Sequence, residues 1–113
     1  MNKNFNLSRF EATFSKTLSK VLLDSTNKNL RNITITSSHI TNDLSLARIY
    51  IMTRKGEEDI AFKSLEKAKS FINREISKHL SMRKMPKIEF YLDNSFDYGQ
   101  KIDKKIEMLE KNV

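Results

Sequence analysis

The chain has 113 residues with no cysteine, two glycines, one proline, and 21 Lys and Arg against 14 Asp and Glu, a formal charge of +7. That length fits one domain and not two. The composition excludes a disulfide framework, a thiol nucleophile and a thiolate metal site, and so few glycines cannot build a GxGxxG or P-loop phosphate cradle. No uncharged apolar run approaches the ~20 residues that span a bilayer, and the first ten residues lack the apolar core of a secretion signal. A soluble, cytoplasmic protein with a polyanionic partner is the expectation.

Residues 1–7 carry no pattern and read as a flexible arm. Ser8 followed by Glu11 matches a capping box, with Leu7 placed to staple against Ala12. Phe10, Phe14, Leu18, Val21 and Leu22 then repeat at spacings of three and four, predicting a helix that ends near residues 24–27. Arg9, Lys16 and Lys20 lie on its other side and form a secondary basic face. Ile33-Thr34-Ile35-Thr36 alternates and is β-branched, predicting a first strand that runs toward Ile40. Thr41-Asn42-Asp43 reads as a turn. Leu46 to Thr53 is the second strand, with Ala47, Ile49 and Ile51 on one face and Arg48, Tyr50 and Met52 on the other, so the two strands form an antiparallel hairpin.

Glu57, Glu58 and Asp59 suit the positive end of a helix, and a long helical stretch follows to Leu80 with Ala61, Leu65, Ala68, Ile72, Ile76 and Leu80 on one face. At about 100° per residue, Lys63, Lys67, Arg74 and Lys78 fall opposite that stripe. Phe71 would sit among those cations on a straight helix, which calls for a bend over Ala68, Lys69 and Ser70 or for an aromatic platform, and the bend is preferred. Ser70 could assist it by competing for a backbone carbonyl. Pro86 stops the helix and opens a third strand, Ile88 to Leu92. A last helix is expected over about Gln100 to Asn112. The order is that of an α+β domain.

Residues 60–92 hold eight cations (Lys63, Lys67, Lys69, Arg74, Lys78, Arg83, Lys84 and Lys87) against Glu66, Glu75 and Glu89, a net +5 of the chain's +7. Charge concentrated on one stretch is what a phosphate-binding face needs, although exposed helix faces also carry such lysines for solubility. Tyr50, Phe71 and Tyr91 could stack on unpaired bases, but aromatics in strands and helices are more often core. Catalysis has little support. His39 lies in the first strand and His79 on the apolar side of the long helix, where structural histidines are common. Asp43, Asp93 and Asp97 stand where turns need them. No metal-ligand spacing occurs.

The order of elements, with the strings Ile33-Thr34-Ile35-Thr36, Asn42-Asp43-Leu44-Ser45-Leu46-Ala47-Arg48-Ile49-Tyr50-Ile51, Met82-Arg83-Lys84-Met85-Pro86-Lys87-Ile88-Glu89-Phe90 and Asp93-Asn94-Ser95 before Gly99, resembles the ribosome-binding factor A family from Ser8 to Leu109. The resemblance implies a type II KH-like domain over residues 8–97, ordered α-β-β-α(kinked)-α-β, followed by a C-terminal helix over residues 98–113. It also implies a non-catalytic, monomeric factor that binds the small ribosomal subunit and its rRNA during late maturation, promotes processing of the rRNA 5′ end and matters most in the cold. No cofactor, metal, membrane or small-molecule substrate is implied. In place of the GXXG clamp of KH domains, the family has an interhelical kink of the Ala-x-Gly type, here Ala68-Lys69-Ser70 without the glycine. Two other readings stay open: a protein-interaction module whose basic face binds an acidic partner, and a sequence-preferring binder of single-stranded RNA, which the missing GXXG and scarce exposed aromatics disfavour.

Overall fold

Phe14, Leu18, Val21 and Leu22 form the buried stripe of helix α1 (Leu7–Leu23) in the computed structural model, which describes residues 6–82 and 84–94. The helix is capped by Asn6, whose side-chain oxygen accepts from the Arg9 amide at 3.0 Å. The expected capping box is therefore not used. Ser8 lies within the helix, and the Glu11 carboxylate accepts from the backbone amide of Ile40 at 2.7 Å. With Asn6 as cap and Leu7 helical, an arm over residues 1–7 is too long, and residues 1–5 lie outside the described residues. A short helix that the periodicity did not show, α2 (Lys28–Arg31), follows at once. Asn27 caps it by accepting from the Asn29 amide at 2.9 Å, and Leu30 is buried.

Strands β1 (Thr34–Ile40) and β2 (Leu46–Met52) pair antiparallel, as the alternation predicts. The register shifts between Ile35 and Ser37, leaving Thr36 out of the ladder. An extra residue reverses which parity faces inward, so Ser38 and Ile40 are buried where continued alternation from Ile33 and Ile35 would have buried odd-numbered positions. The freed Thr36 hydroxyl reaches Asp93 Oδ2 at 2.5 Å and Tyr50 O at 3.1 Å. Between the strands, Asp43 Oδ1 accepts from the Thr41 hydroxyl at 2.8 Å, the Ser45 hydroxyl at 2.8 Å and the Ser45 amide at 3.1 Å. These bonds hold Leu44 at a φ of 61°.

Gly56, at φ 88°, turns the chain into α3 (Glu58–Lys67), which leads to α4 (Lys69–Leu80) and then to β3 (Lys87–Leu92). Strand β3 lies parallel to β2, with Ala47 opposite Ile88 and Tyr50 opposite Tyr91, so the sheet order is β1-β2-β3. Parallel neighbours require a crossover, and the two helices supply it. Pro86, fully buried, stands just before β3, where its missing amide costs no ladder bond.

The inner row of the sheet (Ile40, Ala47, Ile49, Ile51 and Ile88) joins Phe14, Leu18, Leu65, Ile72 and Ile76 in one core. Each fully buried large side chain of this kind contributes roughly 1.5–3 kcal/mol. Helix α1 packs on β1 and α4, and α2 packs on α3. With α2 as a short addition after α1, the order is the α-β-β-α-α-β of a type II KH-like α+β domain. The C-terminal helix expected over residues 98–113, with Asp97 and Gly99, lies outside the described residues.

Candidate nucleic-acid interface

The long helical stretch breaks where the displaced Phe71 says it should. Ala68 closes α3 and opens α4 with φ −90° and ψ 4°, and no side chain caps either helix there. The Ala68 amide still donates to Ser64 O at 3.0 Å, and Ala68 O accepts from Ile72 at 2.8 Å. The expected help from Ser70 is not found, since its exposed hydroxyl makes no hydrogen bond among the described residues. The break does not bury the displaced ring. Phe71 remains 38% exposed after the break, and the Arg74 guanidinium lies over its ring, 5.9 Å from the centroid.

Of the eight cations expected to meet phosphate, Lys63, Lys67, Arg74, Lys78, Lys84 and Lys87 are exposed, and Lys69 is half-buried. Arg83 lies outside the described residues. Lys69 reaches Glu66 at 3.7 Å across the break and Lys78 reaches Glu75 at 3.4 Å within α4, each pair three positions apart. Exposed pairs of this kind are weak and readily exchanged. The other exposed cations of the set have no carboxylate partner among the described residues.

The bend changes the single sector that a straight helix implied. Lys63, Lys67 and Arg74 straddle it, whereas Lys78 stands at the far end of α4, ~15 Å along the axis from Ala68. That far end leads through Lys84 to Lys87, at the start of β3. The basic surface thus has two stations, one at the bend and one where α4 hands over to β3. Arg9, Lys16 and Lys20 are exposed on α1 as expected, and the bend station gains Lys28 and Arg31 of α2, which sequence periodicity alone could not place beside α3.

A cavity of about 420 Å³ opens at the bend station. Its walls come from the loop between α1 and α2, through Ser25 and Asn27, and from Lys67, Ala68 and Phe71, with Leu30 and Ser64 beneath. The loop is held in shape locally. Ser25 Oγ accepts from the Asn27 amide at 3.0 Å, and Arg31 Nη1 donates to Ser25 O at 2.9 Å.

The remaining candidates fall out differently. Tyr50 and Tyr91 stack on each other across β2 and β3, with centroids 5.5 Å apart and planes at 26°, and His39 meets Tyr50 edge-on at 5.5 Å. One face of each tyrosine ring is taken up by the other. The Tyr91 hydroxyl donates to Glu89 Oε1 at 2.7 Å, and burial, reinforced by that carboxylate, pushes its phenol above the usual range. His79 is not on the apolar side; it is exposed, with Nδ1 2.8 Å from Glu75 O at the end of α4. Among the described residues, no cluster of His, Asp and Glu could hold a metal ion, and no helix is long and apolar enough to cross a membrane.

Comparison with known proteins bears on the family and the fold. A family model described as ribosome-binding factor A matches residues 6–106. A ribosome-binding factor A of Staphylococcus carnosus (strain TM300) is 40% identical over 101 residues, which cover 83% of this chain and 88% of the relative. The crystal structure of ribosome-binding factor A from Thermus thermophilus matches with a TM-score of 0.72 and 20% identity, over 80% of this chain and 98% of that one. A homology model of the Thermus thermophilus factor, fitted into a cryo-EM map of its 30S complex, matches with a TM-score of 0.65 and 17% identity, over 80% and 99% of the two chains. At such identities the structural matches speak for the fold.

Proposed function

We propose that this chain, which belongs to the ribosome-binding factor A family, binds the small ribosomal subunit through its rRNA during late maturation in the cytoplasm. The carrying observation is the family match over nearly the whole chain, together with unpaired, solvent-facing cations at the bend and at the start of β3. The Thermus factor fitted into a 30S complex supports the choice of partner. Lysines and arginines at two stations would hold phosphates of a folded RNA and set the orientation of the protein without reading sequence.

The action is that of a scaffold and involves no catalytic step. A bound protein shifts an RNA between two arrangements only by the difference in its contacts with each. Holding the arrangement that exposes the 5′ end of the rRNA to processing would serve maturation, above all in the cold, where misfolded RNA is slowest to rearrange. Sedimentation of a cell lysate tests the partner. The chain should travel with immature small subunits, release on ribonuclease treatment, and lose affinity with a log–log salt slope of ~0.7–0.9 per phosphate neutralised. Ribonuclease-insensitive association with a protein, or a flat salt response, would overturn the reading.

A further inference from the structure

We propose that the cavity between the α1–α2 loop and the α3–α4 bend receives a single unpaired nucleobase of the bound RNA. The inference deepens the rRNA-binding reading and rests on it. The cavity volume of about 420 Å³ lies within the ~300–1,000 Å³ range of small-ligand clefts. Three features of its lining point to a base and not to a bare phosphate or an apolar side chain.

The first is Phe71. A large ring 38% exposed on a helix is unusual for a surface position, and here it borders the cavity with Arg74 over it. Aromatic rings and guanidinium planes are the surfaces on which unpaired bases stack. The second is Ser64. It is 8% exposed, it borders the cavity, and its hydroxyl has no hydrogen-bond partner among the described residues. That hydroxyl is free to bond a ligand, and a base edge, which carries both donors and acceptors, satisfies it in either role. The third is charge. Lys67 stands on the wall, while Lys63, Lys28 and Arg31 are exposed on the two helices that meet there. Against them the lining carries one carboxylate, that of Asp24. A nucleotide entering base first would bring its phosphate to these cations, which an acidic peptide could match in charge but not in stacking.

The full chain is titrated with a short single-stranded RNA carrying one 2-aminopurine, and with a duplex of the same length. The single strand should bind more tightly than the duplex, and the 2-aminopurine fluorescence should fall as the base stacks. Phe71→Leu keeps apolar bulk without the aromatic face. It should abolish the fluorescence change and weaken single-strand binding about 5- to 140-fold while leaving duplex binding unchanged, and Phe71→Tyr should restore both. Ser64→Ala should narrow the gap between single strand and duplex. Lys67→Ala should weaken both RNAs alike and lower the salt slope. Equal binding of both RNAs with unchanged fluorescence, or Phe71→Leu behaving as the parent, overturns the base site while leaving rRNA binding standing. Failure to bind either RNA overturns both. Circular dichroism of Phe71→Leu establishes that the fold is retained.

Discussion

The carboxylate of Glu11, in the second turn of α1, accepts a hydrogen bond from the backbone amide of Ile40 at 2.7 Å. The bond ties the first helix to the last residue of β1, where the strand turns away toward Thr41. Removing an acceptor from a half-buried backbone amide leaves the donor unsatisfied, and bonds to charged groups are worth ~1.5–3 kcal/mol. Glu11→Ala should therefore lower the unfolding free energy by about 1.5–3 kcal/mol in urea titrations, with Glu11→Gln losing less because its carbonyl oxygen can still accept. A Glu11→Ala protein as stable as the parent would show the bond to be inconsequential.

Ser81 closes α4 in the left-handed conformation, at φ 52° and ψ 40°, donating its amide to Ser77 O at 2.8 Å. A glycine is the usual occupant because it lacks the Cβ that makes this region unfavourable. Ser81→Gly should raise stability by about 0.5–1 kcal/mol, visible as a higher Tm, the ~1–2 kcal/mol relief of the left-handed backbone being partly offset by the ~0.4–1 kcal/mol that glycine's freedom adds to the unfolded chain. Leu44, also left-handed at φ 61°, should behave in the opposite way, since its side chain packs against the core and glycine there would forfeit that burial. Thermal melts of the two variants side by side separate relief of strain from loss of packing.

How far the residues announced the fold depended on the range of the force involved. Local periodicity was enough for α1, both hairpin strands and the break at Ala68, because each is written in neighbouring side chains. Ser8-x-x-Glu11 satisfies the same pattern as the true cap at Asn6, and only the position of Ile40 shows where Glu11 is needed. Helix α2 is a single turn, too short for a stripe, although Asn27 before it was a legible cap. Thr36 was invisible as a bulge because β-branched residues suit a strand either way. At the candidate interface, the charge on α3 and α4 could be counted from the residues. The meeting of Lys28 and Arg31 with that surface, and the cavity beside Phe71, depend on α2 packing against α3 and could not be read along the chain.

The turn between β1 and β2 should be sensitive to acid. Bonds from the Ser45 hydroxyl, then the Thr41 hydroxyl and the Ser45 amide, hold the Asp43 carboxyl below its ordinary value of 3.8. A depressed carboxylate contributes stability that is fully present above the unfolded-state value and is lost as pH falls through the lower folded value. The urea midpoint of the parent should exceed that of Asp43→Ala at neutral pH, and the difference should shrink only below about pH 4. A difference that stayed constant into strong acid would mean that the charge of Asp43 plays no part in the turn.

Alkali should act at the other end of the scale. Burial, with the adjacent Glu89 carboxylate, raises the Tyr91 phenol above its ordinary value of 10.0. Because the folded protein holds that proton more tightly, the contribution is complete below about pH 10 and disappears as pH climbs through the folded value. Absorbance titration at about 295 nm should show one late-ionising phenol in the parent that is missing in Tyr91→Phe. The parent should lose stability relative to Tyr91→Phe only above about pH 10. A Tyr91→Phe titration superimposable on the parent in its late phase would reject the assignment.

The parallel pairing of β3 with β2 governs how the domain is made. Strand β2 finds its first partner across a short turn, but its second only after the whole α3–α4 crossover has been laid down. Contacts so distant along the chain form late, because loop-closure entropy must be met before they give anything back. On a translating ribosome, the hairpin and α1 can associate while β2 still has an open side, and the sheet closes only when Ile88 reaches Ala47. Until then Lys87, at the start of β3, has no fixed place beside the sheet, so the second of the two basic stations takes its final form in the same step that seals the core.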